Sequence, residues 1–211
     1  MTDDLERRLA TSPVTSLDIE RLRRQLARRA LDEGVLDVAY GFADSPLGAL
    51  TVIVTDRGIA RLSYAHEAVD EQLDEIATRI SPRILASPER TDGVRRQLDE
   101  YFSGTRRRFD VPIDWRLVRG FAANVLRAAA RIPFGSVSSY REVAAEAGSP
   151  SAYRAAGNAL GSNPIPIVVP CHRVLHAGGG LGGYTGGLER KRFLLQLEGV
   201  VDRNDPGSAG V

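Results

Sequence analysis

A single cysteine in 211 residues leaves no partner for an internal disulfide and no means of building a cysteine-based metal site. The three histidines, His66, His172 and His176, are scattered and zinc-finger spacing is missing, so neither a metal nor another cofactor is expected. No apolar run approaches the roughly 20 residues that span a bilayer, and no membrane partner is expected. The opening Met1-Thr2-Asp3-Asp4-Leu5-Glu6 is acidic and lacks the apolar stretch of an export signal. A free thiol without such a signal fits a reducing, cytoplasmic setting.

What is present is enough chain for one large domain or two small ones, with the composition of a globular protein. The net charge of +1 conceals an asymmetry. Residues 1–110 carry 17 arginines against 20 acidic residues, whereas residues 111–199 carry 10 lysines and arginines against 5 acidic residues. A basic second half suggests a polyanionic partner, although arginines on solvated helix faces produce the same count. That half also holds Val169-Pro170-Cys171-His172-Arg173-Val174. A proline-punctuated apolar run, residues 164–170, precedes the cysteine, and the glycine-dense loop 178–187 follows it. A rigid approach, a thiol beside basic groups and an open loop describe a reactive pocket, if neighbours lower the thiol pKa or take its proton. The competing reading is a small buried hydrophobe.

The expected fold class is α+β. Leu17, Ile19, Leu22, Leu26 and Leu31 recur at helical spacing over residues 16–32, with Ser16 and Asp18 offering a cap and Gly34 a stop. This helix is read as packed on the main body, a partner-binding arm being the alternative. Short β-branched runs at 38–42, 50–54 and 59–64, broken by turn residues, predict a small antiparallel meander. Helical periodicity returns at 67–80, and at 91–103 through Val94, Leu98 and Phe102. Arg106-Arg107-Arg108 reads as a solvated loop first and a phosphate contact second. Beyond Pro112, helices are expected at 121–131, 140–147 (capped by Ser138 or Ser139), about 149–160, and 188–197. The middle pair, joined by Gly148-Ser149-Pro150, resembles a helix-turn-helix, with Arg154 near the start of its second helix, where a recognition helix meets DNA. The division is an extension (1–35), a small α/β domain (36–112), a mostly helical domain (113–199) and a flexible tail (200–211).

Three blocks carry a resemblance: Arg154-Ala155-Ala156-Gly157-Asn158-Ala159-Leu160 with Asn163-Pro164-Ile165-Pro166-Ile167; Pro170-Cys171-His172-Arg173-Val174; and Leu181-Gly182-Gly183-Tyr184-Thr185-Gly186-Gly187-Leu188-Glu189-Arg190-Lys191. In order and spacing across residues 119–199 the chain resembles the O6-alkylguanine-DNA alkyltransferases, also called methylated-DNA–protein-cysteine methyltransferases. Weaker similarity reaches back to Ser45-Pro46-Leu47-Gly48; residues 1–35 and 201–211 lie outside it. The resemblance implies a ribonuclease-H-like N-terminal domain and a winged-helix-like C-terminal one. It implies a monomer that meets duplex DNA through the minor groove, flips out an alkylated guanine and moves the alkyl group irreversibly onto its own cysteine. O4-alkylthymine would be a minor substrate. Flipping is required because a stacked base keeps its oxygen away from a buried thiolate.

By the same resemblance Cys171 is the acceptor, His172 takes its proton through a water, and Glu198 orients the imidazole. Arg154 fills the gap left by the flipped base, while Ala155, Ala156 and Gly157 let the helix lie close to the groove. Tyr140 presses on the target phosphate or donates to the base. Asn163 braces the turn before the cysteine. Tyr184, Thr185 and Val174 line the guanine pocket, with the Thr185 backbone N–H aimed at the oxygen that loses its alkyl group. Pro166 packs on the alkyl substituent, and Gly182 and Gly183 let the loop pass the base. On residue type alone, Glu198 reads as a solvated helix-end carboxylate and Tyr140 as a core aromatic. Neighbouring side chains on an extended strand point opposite ways, so His172 serves Cys171 only if the backbone bends or the proton travels by water.

The chain departs from the pattern at Leu126, where many relatives carry Trp; altered packing without lost chemistry is expected. It has none of the extra cysteines of the zinc-bearing regulators, and Cys171 separates it from the alkyltransferase-like proteins that bind lesions without repairing them. Two rivals stand. A lesion-sensing module predicts binding without transfer, and a thiol hydrolase or redox enzyme calls for a turning-over acyl intermediate or a resolving cysteine.

Overall fold

In the computed structural model, residues 15–64 and 68–201 are described. The first part of the extension, His66 and most of the expected tail lie outside them.

The β-branched runs form β1 (Val38–Ala43), β2 (Leu50–Thr55) and β3 (Gly58–Tyr64), an antiparallel meander with Tyr40 opposite Ile53 and Val52 opposite Leu62. Every residue of β2 is buried, because both faces of the sheet are covered. Ile53 meets Val38 and Ala60 on the face covered by Ile76 of α2 (Val69–Arg79). Val52 and Val54 meet Val94 and Leu98 of α3 (Pro88–Phe102) within the main core. Strand and helix come close at Gly41, where an added Cβ would lie 2.5 Å from the Thr91 hydroxyl oxygen. Helix α3 begins at Pro88, earlier than expected, since proline suits a first turn whose N–H has no intrahelical partner.

The expected all-antiparallel sheet is corrected by β4 (Ile84–Ala86), which pairs parallel with β1 and gives the order β3-β2-β1-β4. The three strand residues, bracketed by Pro82 and Pro88, are too few to show a strand period, and only the return of α2 brings them to the sheet edge. Helix α1 (Ser16–Asp32) is capped by a Thr15–Asp18 capping box, so Thr15 takes the role expected of Ser16. Of its residues only Ala27 and Ala30 are buried against the body, joined by an Arg28–Glu89 ion pair; Leu17, Ile19, Leu22, Leu26 and Leu31 stay exposed.

The chain crosses to the second half along β3: Ile59 N donates to Pro112 O (2.9 Å) and Asp114 N to Ile59 O (2.8 Å). Four helices follow, α4 (Gly120–Ala129), α5 (Tyr140–Glu146), α6 (Tyr153–Gly161) and α7 (Leu188–Leu197). Ser139, not Ser138, caps α5 through a capping box with Glu142. Helix α6 starts at Tyr153, after a turn in which Ala152 N donates to Ser149 O (3.0 Å). A two-residue parallel pair, β5 (Ser138–Ser139) with β6 (Val174–Leu175), ties the start of α5 to the residues after the cysteine. The two halves share one core in which Val52 and Leu98 join Leu126, Val143, Val169 and Leu194. Leu126 is fully buried there, so the position that departs from the pattern is a packing position.

Candidate active site

Cys171–Arg173 is a turn of 3₁₀-helix, not extended strand. At three residues per turn, successive side chains diverge by about 120°. The backbone bends here, so Cys171 faces one side while His172 and Arg173 turn toward Glu198. The Cys171 sulfur accepts from Asn163 Nδ2 at 3.1 Å. The same amide donates to Val169 O (2.8 Å), and Asn163 Oδ1 accepts from Ile165 N (3.0 Å), so one side chain braces the turn and holds the thiol.

Behind the cysteine, Glu198 collects donors. His172 Nε2 lies 2.9 Å from Oε1; Arg173 spans both oxygens, Nη2 to Oε1 and Nε to Oε2, each at 2.8 Å. Tyr101 donates to Oε1 at 2.6 Å. Burial pushes the Glu198 carboxyl up, but hydrogen bonds from His172 and Arg173 outweigh it and hold it at about 2. Burial pushes the His172 imidazole down, against the pull of Glu198, so the neutral ring is favoured. An ionised carboxylate only accepts, so Nε2 carries the ring proton and Nδ1 the lone pair. Nδ1 is buried and unpartnered, a base with its acceptor position open.

Burial pushes the Cys171 thiol up; the Asn163 hydrogen bond and the charge of Lys191 oppose it. Lys191 is fully buried, donating to Val174 O (2.7 Å) and to Leu181 O, and burial brings its ammonium down to about 8. The thiolate thus depends on a proton acceptor and a nearby cation, not on exposure.

Cys171 lines a cavity of about 730 Å³ with Tyr140, Arg154, Gly157, Tyr184 and Thr185. Gly183 lines it too, and Gly182 (φ +65°) passes so close to Tyr140 that a Cβ would lie 2.5 Å from the phenol oxygen. Tyr184 shares a 2.8 Å hydrogen bond with Tyr64 of β3, and the Thr185 hydroxyl donates to Gly161 O. Arg154 and Ala155 are exposed on α6. Three expectations are corrected. Ala156 is fully buried in the core, on the inner side of α6, so it cannot line the groove. Val174 is likewise in the core and offers Lys191 its carbonyl instead of lining the pocket. Pro166 lines an adjoining cavity of about 470 Å³, with Asn163 and Thr185, and not the one that holds Cys171.

Residues 38–115 match the family described as 6-O-methylguanine DNA methyltransferase, ribonuclease-like domain, and residues 120–200 its DNA binding domain. A methylated-DNA–protein-cysteine methyltransferase of Mycolicibacterium paratuberculosis is 42% identical over 173 residues, which cover 81% of this chain and 96% of that protein. The chain belongs to the 6-O-methylguanine DNA methyltransferase family. Among solved structures, the Mycobacterium tuberculosis O6-methylguanine methyltransferase is 38% identical, with TM-score 0.66 over 80% of this chain and 96% of that one. The M. tuberculosis OGT in complex with DNA is 39% identical, with TM-score 0.64 over 76% and 92%. Helix α1 precedes both matched domains of this methyltransferase.

Several residues of the methyltransferase site had no sequence-derived role: Tyr101, Lys191, the Glu198 clamp formed by Arg173, and His176, which lines the cavity and packs on Tyr140 with ring centroids 5.2 Å apart. A signal existed for Lys191. Lys191, Leu194, Leu195 and Glu198 recur at i, i+3, i+4 and i+7, a buried stripe with a charge at each end. For Tyr101, the residues Val94, Leu98 and Tyr101 make the buried stripe of α3, whereas Phe102, read as the core position, is half-buried.

Proposed function

We propose that this methyltransferase reverses alkylation damage by moving the alkyl group of O6-alkylguanine in duplex DNA onto Cys171, irreversibly and once per molecule. The observation that carries the reading is the placement of Cys171 on the wall of a cavity reached beside α6, next in sequence to an imidazole held 2.9 Å from the Glu198 carboxylate. The protein acts as a monomer, in the cytoplasm, on alkylated duplex DNA approached through the minor groove. Exposed Arg154 enters the duplex and fills the gap of the flipped nucleotide, with Ala155 and Gly157 allowing close approach.

In the pocket, Tyr184 and Thr185 hold the guanine and Tyr140 faces the base or its phosphate. The Cys171 proton passes through a water to His172 Nδ1, and the imidazolium is stabilised by Glu198. The thiolate sulfur attacks the alkyl carbon; the carbon–oxygen bond breaks with its electron pair going to the guanine oxygen, and the resulting base anion takes a proton at its ring nitrogen N1, from solvent or relayed from Tyr140, to restore guanine. A thioether is not hydrolysed by water, so the protein is spent. O4-alkylthymine presents the same alkyl–oxygen bond and is a minor substrate.

The test is incubation with a duplex carrying O6-methylguanine, followed by intact and peptide mass measurement. One methyl group on the Cys171 peptide, with guanine restored, supports the reading; bound but unmodified protein supports a lesion sensor. Arg154→Ala should slow repair in duplex DNA by about 10- to 100-fold, since flipping costs a few kcal/mol. It should leave transfer from free O6-benzylguanine unchanged. Equal losses on the two substrates would remove Arg154 from the flipping step.

A further inference from the structure

The site is completed from outside its own domain. Tyr101 belongs to α3, packed on the N-terminal sheet, yet its hydroxyl donates to Glu198 Oε1 across 97 positions of sequence. That oxygen also receives His172 Nε2 and Arg173 Nη2, while Oε2 receives Arg173 Nε and, at 3.5 Å, Gly135 N. The phenol ring is fully buried and held by three aromatic neighbours, with centroids 5.4 Å from Phe102, 5.3 Å from Phe109 and 6.1 Å from Phe134. A rigid donor at 2.6 Å does two things to a carboxylate that must steer an imidazole. It pins the rotation of the carboxyl group, and it draws negative charge away from the oxygen that faces His172.

We infer that Tyr101 is a positioning residue for alkyl transfer, through which the N-terminal domain sets the orientation and basicity of His172 by way of Glu198. This rests on the functional reading above. Burial and the adjacent carboxylate push the phenol far above its ordinary range, so it remains a donor at every working pH. With the hydroxyl gone, Oε1 bears more charge against His172 and favours the imidazolium. The ring then holds a proton at pH values where it should be free to accept one from Cys171.

Tyr101→Phe keeps the ring and deletes only the donor. The single-turnover rate of methyl transfer from an O6-methylguanine duplex should fall about tenfold, the scale of one hydrogen bond to a charged group. The acid limb of the rate–pH profile should move up by roughly half a unit, while DNA affinity is retained. Val94→Ala, on the same helix face and away from Glu198, is the comparison: it lowers the melting temperature without moving the acid limb. If Tyr101→Phe lowers the melting temperature as Val94→Ala does but keeps the wild-type rate and acid limb, Tyr101 is a core residue only and the inference falls. Wild-type protein assayed alongside separates the two claims, because absence of methyl transfer there sinks the functional reading itself.

Discussion

Cys171→Ser binds an O6-methylguanine duplex as tightly as the wild type and acquires no methyl group. The substitution exchanges sulfur for oxygen in a site that is 6% exposed and keeps the Asn163 donor in reach. The exposed residues of α6 proposed to contact DNA are untouched, so binding by gel shift or anisotropy should be retained. Transfer is lost because an alcohol ionises far less readily than a thiol, and burial already pushes the Cys171 thiol up. A neutral imidazole and one buried cation suffice for a thiolate and not for an alkoxide. The stability cost should be about 1 kcal/mol, the usual scale for a single substitution. Methyl incorporation by the serine variant would place the acceptor elsewhere; loss of binding would mean that the thiol is part of lesion recognition.

The second large effect is at Glu198. Glu198→Gln keeps the shape of the side chain but leaves Arg173, 6% exposed, without its counter-charge. Removing one partner of a buried ion pair costs about 3–5 kcal/mol. Chemical denaturation at neutral pH should show a loss on that scale, and methyl transfer should become undetectable, because an amide stabilises no imidazolium. The pH dependence carries a definite sign. The folded-state pKa of Glu198 is depressed from 4.5 to about 2. Its contribution is complete above the ordinary carboxylate value and is lost as pH falls toward about 2. The stability gap between wild type and variant should therefore be widest at neutral pH and narrow through that acid window. A gap independent of pH would show that the charge of Glu198 is not what stabilises the fold.

The two residues differ in how they could be found. Cys171 and the helix ends are written in local chemistry. The Ser139–Glu142 capping box and the period of Leu188–Leu197 depend on residues within one or two turns of each other, and the structure keeps both. The single thiol among proline, histidine and glycine is similarly local. The donors around Glu198 are not. Tyr101 reaches it from one part of the chain and the adjacent His172 and Arg173 from another, and no spacing rule joins position 101 to position 198. Ala156 and Val174 were misplaced for a related reason: small and apolar residues suit a groove wall and a core equally, and only packing chooses between them.

By itself, then, the sequence determined a basic half with a single thiol among proline, histidine and glycine, a helix-turn-helix beside it, and the position of most helices and strands. Those properties follow from side-chain type and short-range periodicity. Only the tertiary structure decided that β4 closes the sheet in parallel, that Lys191 lies buried near the thiol, and that Glu198 is a fully paired anion, not a solvated helix end. Each of these is a matter of which polar groups lose water and which partners compensate them. That balance is set by segments far apart in the chain, and it exists only once they are packed together.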